Sequence, residues 1–201
     1  MADDIDRTEI TRAKRMVRTE VRQRRAELSE AARTAARDGI TANLRTLVTG
    51  RGASSVSCYL AIAGEPDTSG FLEWAATQGV RVLLPIARED GLLEWAVAGD
   101  GDIHEGLYGL PEPGGEILSP LAVNDVDLMI IPACSIDETG DRIGWGRGYF
   151  DKSLGSMDRR PPVFAVVYDS EFVPEVPTEL HDVPVTGVVT ESQVHYFKTS
   201  H

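Results

Sequence analysis

Six short runs of this chain, residues 56–60, 80–84, 92–97, 127–131, 163–168 and 185–190, read as strands, and most are apolar along their length rather than at alternate positions. A strand of that kind has no face to show to water and needs cover on both sides. The intervening segments supply it. Residues 71–77 read as a short helix, residues 149–154 as the start of another, and the N-terminal quarter as two long ones. Strands alternating with helices or long crossovers predict an α/β fold, a mainly parallel central sheet flanked by helices, with an N-terminal helical pair.

Residues 7–28 form the first helix of that pair, with Ile10, Val17, Val21 and Leu28 as a thin apolar stripe. Ser29 is suited to N-cap the second, with Glu30 in its first turn, and Gly50 and Gly52 stop it after about Val48. Residues 99–120, rich in Gly and Pro, are expected to be mostly loop, and the tail after residue 190 to be ragged. A length of 201 residues suits one α/β domain, 1–201, with residues 1–50 as a helical segment packing on the body. A chain of this size buries roughly 70% of its unfolded surface and needs no disulfide or metal to fold.

Composition excludes several classes. No apolar stretch approaches the ~18 residues of a membrane span, and the opening MADDIDRTEI has no apolar signal core. Cys58 and Cys134 both lie in apolar, strand-like segments and read as two unpaired buried thiols. Together these predict a cytoplasmic protein without a membrane partner. The net charge of −12 divides unevenly: residues 1–51 carry 12 Lys+Arg against 8 Asp+Glu (+4), residues 52–201 carry 8 against 24 (−16). An acidic body repels anions. An anionic ligand must therefore be held locally, by the N-terminal segment or by the arginines near residue 145.

That second place is the segment after the fourth strand. Residues 127–154, DLMIIPACSIDETGDRIGWGRGYFDKSL, run from an apolar strand through Pro132 into a polar loop with Gly144, Gly146 and Gly148 at every second position. Arg142 and Arg147 lie among them, and Tyr149, Phe150 and Asp151 follow at a helix start. Glycines at this density let backbone N–H groups converge on a phosphate without Cβ obstruction. The spacing is neither the P-loop, which needs Gly-Lys-Ser/Thr, nor the dinucleotide G-x-G-x-x-G. Glycines alone fit a tight turn equally well; the arginines, aromatics and Asp151 favour an anion site. Asp151 alone reads as a helix-start carboxylate, but beside such a loop it suits one Mg²⁺ shared with phosphate oxygens.

Lys14 and Arg18 share a face of the first helix, which Arg22 and Arg25 roughly continue. A solvated basic face, a phosphate site or a nucleic-acid surface all fit that pattern, although the helix has no aromatic residue for base stacking. Glu65 follows a strand end, where α/β folds build sites; a carboxylate there is either an exposed loop residue or an acceptor for the paired donors of an amino-heterocycle. Tyr108 to Pro113 form a stiff loop that is either a pocket wall or a turn. No zinc pattern and no G-x-S-x-G elbow occurs.

The run GDRIGWGRGYFD resembles the signature of the 5-formyltetrahydrofolate cyclo-ligases, also called methenyltetrahydrofolate synthetases. The likeness extends to K-R-x-x-R at 14–18, the strand-then-Glu segment ending at Glu65, the Pro-x-Pro at 111–113, the DLMIIP strand and ELHDVPVTGVVTE at 179–191. It implies a reaction in which ATP and Mg²⁺ convert 5-formyltetrahydrofolate to 5,10-methenyltetrahydrofolate, releasing ADP and phosphate, through a phosphorylated formyl group closed by attack of N10. It implies Lys14, Arg15 and Arg18 as contacts to the ATP phosphates, and Arg142, Ile143, Gly144, Trp145, Gly146, Arg147, Gly148, Tyr149 and Phe150 as the nucleotide loop. Arg142, Arg147 and Tyr149 take catalytic roles, with Tyr149 between the two substrates. Leu60, Glu65, Tyr108 and Tyr149 line the folate site, and Asp151 and Asp182 hold the metal. The partners implied are small molecules, with no nucleic acid, and the expected state is a monomer. Phe150 and Trp145 depart from the commonest family pattern, which has Tyr and a smaller or more polar residue there. The competing classes are another small-molecule enzyme on a similar scaffold, such as a sugar-phosphate isomerase, and a nucleic-acid module using the basic helix.

Overall fold

The computed structural model describes residues 2–157, 159–179 and 184–198, residues 2–7 by their backbone alone. Helix α1 (Ala2–Glu27) is followed by α2 (Glu30–Arg51). The Ser29 side chain accepts the Ala32 N–H at 3.1 Å, and Gly52 ends α2 in the left-handed conformation, as its position implies. The chain then runs through β1 (Ser55–Ser57), α3 (Ser69–Gln78), β2 (Arg81–Ala87), β3 (Leu93–Val97), β4 (His104–Glu105), β5 (Pro111–Glu112), β6 (Leu128–Pro132), β7 (Ser135–Asp137), β8 (Arg142–Ile143), α4 (Tyr149–Gly155), β9 (Val163–Val166), β10 (Phe172–Val173), β11 (Gly187–Val189) and β12 (Val194–Tyr196).

Seven strands form the main sheet in the order β12-β11-β9-β6-β1-β2-β3. The five inner strands are parallel, and β3 and β12 close the edges antiparallel. The α/β expectation therefore holds. The alternation within β6 shows why its whole length is apolar. Leu128 and Ile130 join a core with Ile40, Leu44 and Leu47 of α2 and Phe71 of α3. Met129 and Ile131 join a second core on the opposite face with Val123, Leu154 and Ile136. The N-terminal pair splits between two sites. Helix α2 covers the main sheet, while Val21 of α1 packs with Cys134, Ile143 and Val176 over a smaller sheet, β10-β7-β8.

One stretch differs from expectation. The 99–120 stretch is mostly loop, as expected, with the short β4–β5 hairpin inside it, but the tail is ordered through β12, whose Tyr196 ring meets Phe164 edge-on at 5.2 Å. These strands are two or three residues long, so long-range pairing rather than local apolar pattern decides them. Both cysteines are free and buried. Burial pushes the Cys58 thiol up to about 12 and the Cys134 thiol to about 11, far from a reactive thiolate.

The chain order fixes where a cleft can open. From β1 the chain winds outward to β2 and β3, then returns to β6 on the other side of β1 and winds outward to β9 and β11. The direction reverses between β1 and β6, and in open α/β sheets a crevice opens beyond the strand ends at that point.

Candidate functional site

A cleft of about 960 Å³, including its open mouth, lies at this reversal. Three walls bound it. The segment after β1 contributes Tyr59, Leu60, Ile62 and Glu65. The end of β2 and the hairpin contribute Pro85, Ala87, Leu110, Pro111 and Glu112, with Leu93 of β3 beside them. Pro132 at the end of β6 leads to the third wall, made of Arg142, Gly144, Trp145, Arg147, Gly148, Tyr149, Phe150 and Asp151.

The glycine loop is held from behind by α1. Arg18 Nε donates to the Gly144 carbonyl at 2.7 Å. Gly146, with φ of +94°, packs next to the Arg18 guanidinium, from which a Cβ would sit in ordinary contact at 3.5 Å. Trp145 is flanked by two cations, Arg22 at 5.3 Å and Arg25 at 4.8 Å from the ring centroid. The bulky residue that stands out among the glycines thus clamps the loop to α1 while still lining the cleft. Arg25 itself is buried in a bidentate pair with Glu171, both bonds 2.7 Å, and donates to the Ala133 carbonyl at 3.0 Å. Burial disfavours its charge, but the Glu171 bonds and charge outweigh that and leave the guanidinium pKa raised.

At the loop, the buried Arg142 donates from Nη2 to Asp151 Oδ1 at 2.5 Å, and the Asp151 side chain is 49% exposed. Arg142 Nε is buried without a hydrogen-bond partner among the described residues. Arg147 reaches across the cleft mouth, 3.9 Å above the Tyr108 ring. Tyr108 has φ of +62°, a left-handed conformation that disfavours a bulky residue. The Tyr149 hydroxyl donates to the Arg88 carbonyl at 3.3 Å. Its pKa is raised, chiefly by burial and also by the Tyr108 side chain. Glu65 accepts the Ile62 N–H at 3.1 Å, and burial holds its carboxyl above the usual range despite that bond and Arg25.

The sequence-predicted residues fall into three groups. Leu60, Glu65, Arg142, Gly144, Trp145, Arg147, Gly148, Tyr149, Phe150 and Asp151 line the cleft. Arg18, Gly146 and Tyr108 stand next to it, Arg18 and Gly146 packed together behind the loop and Tyr108 beneath Arg147. Three others lie elsewhere. Lys14 is buried and paired with Glu179 at 2.9 Å. The Arg15 side chain is exposed on α1. Ile143 is core, its side chain packed with Val21 and Cys134. Asp182 lies outside the described residues. Sequence reading missed Tyr59 and Glu112, and also the Arg25–Glu171 pair; of these only Glu112, a charge between two prolines in a segment already suspected as a wall, carried a local signal.

The donors fit a bound polyphosphate. Arg142 and Arg147 line the cleft with Gly144 and Gly148, and Arg18 braces the same loop from behind through the Gly144 carbonyl. No group of three or more His, Cys, Asp or Glu that would cage a metal occurs among the described residues. With Asp151 beside the loop, the arrangement suits a hard cation carried mainly by phosphate oxygens and water.

Comparison with known proteins points the same way. A sequence profile of the 5-formyltetrahydrofolate cyclo-ligase family matches residues 10–191. A 5-formyltetrahydrofolate cyclo-ligase of Mycolicibacterium smegmatis is 33% identical over 185 residues, which cover 89% of this chain and 94% of that protein. One of Haemophilus influenzae is 27% identical over 184 residues, covering 89% and 98%. The NMR structure of the Aquifex aeolicus 5,10-methenyltetrahydrofolate synthetase superposes with a TM-score of 0.78 at 27% identity, covering 94% of both chains.

Proposed function

The chain belongs to the 5-formyltetrahydrofolate cyclo-ligase family, and from that premise we propose that it converts 5-formyltetrahydrofolate to 5,10-methenyltetrahydrofolate with ATP and Mg²⁺, releasing ADP and phosphate. The observation that carries the reading is one cleft in which an apolar, carboxylate-bearing wall faces an arginine-flanked glycine loop. Leu60, Pro85 and Leu93 suit the faces of a flat ring. Glu65 suits its amino edge, where a carboxylate accepts paired N–H donors. Arg18, Arg142 and Arg147 suit the triphosphate.

The chemistry turns on a poor leaving group. The formyl oxygen is not expelled as it stands; once phosphorylated, it departs as phosphate when N10 attacks the formyl carbon. That attack is intramolecular, so holding the folate in a closed geometry supplies much of the rate. Charge develops on the phosphoryl group in flight, and Arg142 and Arg147 are the residues to meet it. Bound Mg²⁺ would neutralise phosphate charge there, held by Asp151. If Asp151 gave up Arg142 for the metal, the guanidinium would be freed for phosphate. Tyr149, between the loop and the folate wall, orients the reacting ends. Arg15 adds positive potential from α1, on which Lys14 is paired with Glu179. The reading makes the protein a monomeric, cytoplasmic enzyme of small molecules.

Mixing the protein with 5-formyltetrahydrofolate, ATP and Mg²⁺ should raise the near-UV absorbance of the methenyl product only when all three are present. No change, beside an active control enzyme, contradicts the proposal.

A further inference from the structure

Glu112 is a cleft residue to which phosphoryl transfer and ring binding give no task. It is 7% exposed, stands between Pro111 and Pro113, and lines the wall across from the segment that bears Glu65. Its Oε1 accepts the Ala87 N–H at 3.0 Å, which ties it to the end of β2. Gly106 of the same hairpin presses on the carboxylate so closely that a Cβ there would lie 2.0 Å from Cδ and 2.1 Å from Oε2. The side chain is therefore held in place from two sides. Yet Oε2 makes no hydrogen bond to a described residue, and it is not among the polar atoms sealed inside the protein. No cation pairs with Glu112 among the described residues. A fixed, mostly buried carboxylate with an unused oxygen and no counter-ion among the described residues is an acceptor open to a ligand donor.

The proposed folate substrate supplies the donor, and the inference rests on that reading. With the amino edge of the ring at Glu65, N5 and N10 lie at the opposite end, toward the hairpin and the glycine loop. We propose that Glu112 is a further catalytic residue, the acceptor of the proton that N10 loses in ring closure. The N10 lone pair forms the bond to the formyl carbon, and the N10 proton passes to Glu112 Oε2. The C–O bond to the phosphorylated oxygen then breaks, with the electron pair leaving on phosphate. The N5 lone pair completes the methenyl bridge. Glu112 returns its proton to water when product leaves.

Glu112→Gln separates this role from a structural one. An amide oxygen still accepts the Ala87 N–H, but the amide nitrogen that replaces Oε2 takes no proton. General bases contribute about 100-fold or more, so kcat should fall about 100-fold while the KM for ATP and the urea midpoint stay unchanged. Phosphoryl transfer precedes ring closure, so in rapid-quench experiments the variant should form ADP ahead of the methenyl absorbance, whereas in the parent protein the two rise more nearly together. Glu112→Asp, which keeps the charge, should recover at least about tenfold over the Gln variant. A Gln variant with the parent rate overturns the proposal. So does one that loses its fold, or that loses ADP and methenyl formation in step. Failure of the parent protein to make methenyl product overturns the substrate reading itself, and the role of Glu112 with it.

Discussion

Arg25 meets Glu171 in two 2.7 Å bonds with side chains 4% and 1% exposed, whereas Arg142 meets Asp151 with side chains 3% and 49% exposed. The groups are the same and their surroundings differ. The first pair is sealed beneath α1, and Glu171 also accepts the Tyr168 N–H at 2.9 Å. Neither water nor ligand competes for it, so it acts as a fastener between α1 and the body. The second pair opens on the cleft, where a phosphate can take Arg142 and a metal can take Asp151. A difference in exposure at one carboxylate thus separates a structural ion pair from an exchangeable one.

The largest effect expected is on the sealed pair. Arg25→Met leaves Glu171 buried and unpaired and should cost about 3–5 kcal/mol in urea unfolding. A loss below about 1 kcal/mol, the range of exposed pairs, would erase the distinction. At the open pair, Asp151→Asn should lower turnover about 100-fold, or about 2.7 kcal/mol of transition-state stabilisation, and cost less stability than Arg25→Met, since the amide oxygen still accepts from Arg142. Parent-like rates at limiting Mg²⁺ would remove Asp151 from the metal. Arg18→Ala should raise the apparent KM for ATP about tenfold, or about 1.4 kcal/mol, with little change for the folate; the opposite split would move α1 to the folate end.

Glu65 gives the smallest stability effect, with its sign set by burial. Its carboxyl titrates above the ordinary value, so between the two values the folded protein keeps a proton that the unfolded chain has released. Stability therefore falls as pH rises through that window, and the deficit persists above it. Glu65→Gln should raise the urea midpoint at neutral pH, flatten this fall and weaken folate binding. An unchanged midpoint with a parent-like pH slope would show that burial of Glu65 exerts no such penalty.

Much of the architecture was legible because it is local. Ser29 and Gly52 mark the bounds of α2, and the unbroken apolar run of β6 announces a strand covered on both faces. Strands β7, β8 and β12 were not, since each is two or three residues set in polar sequence, with no apolar run to mark it. At the site, the glycine loop and Glu65 were legible from residue type and from position after a strand. Ile143 misled because it belongs to the loop motif in sequence but to the core in space. Arg25 and Glu171 stand 146 residues apart, and no periodicity joins them. The work of Trp145 was hidden for the same reason, as its ring is spanned by arginines from a helix more than a hundred residues earlier.

The central claim is that this cleft activates the formyl oxygen by phosphorylation before N10 closes the ring. Substrate carrying a heavy-oxygen label in the formyl group, turned over with ordinary ATP in ordinary water, tests it by mass spectrometry of the phosphate released. The account predicts one labelled oxygen in each phosphate. Methenyl product accompanied by unlabelled phosphate would contradict it.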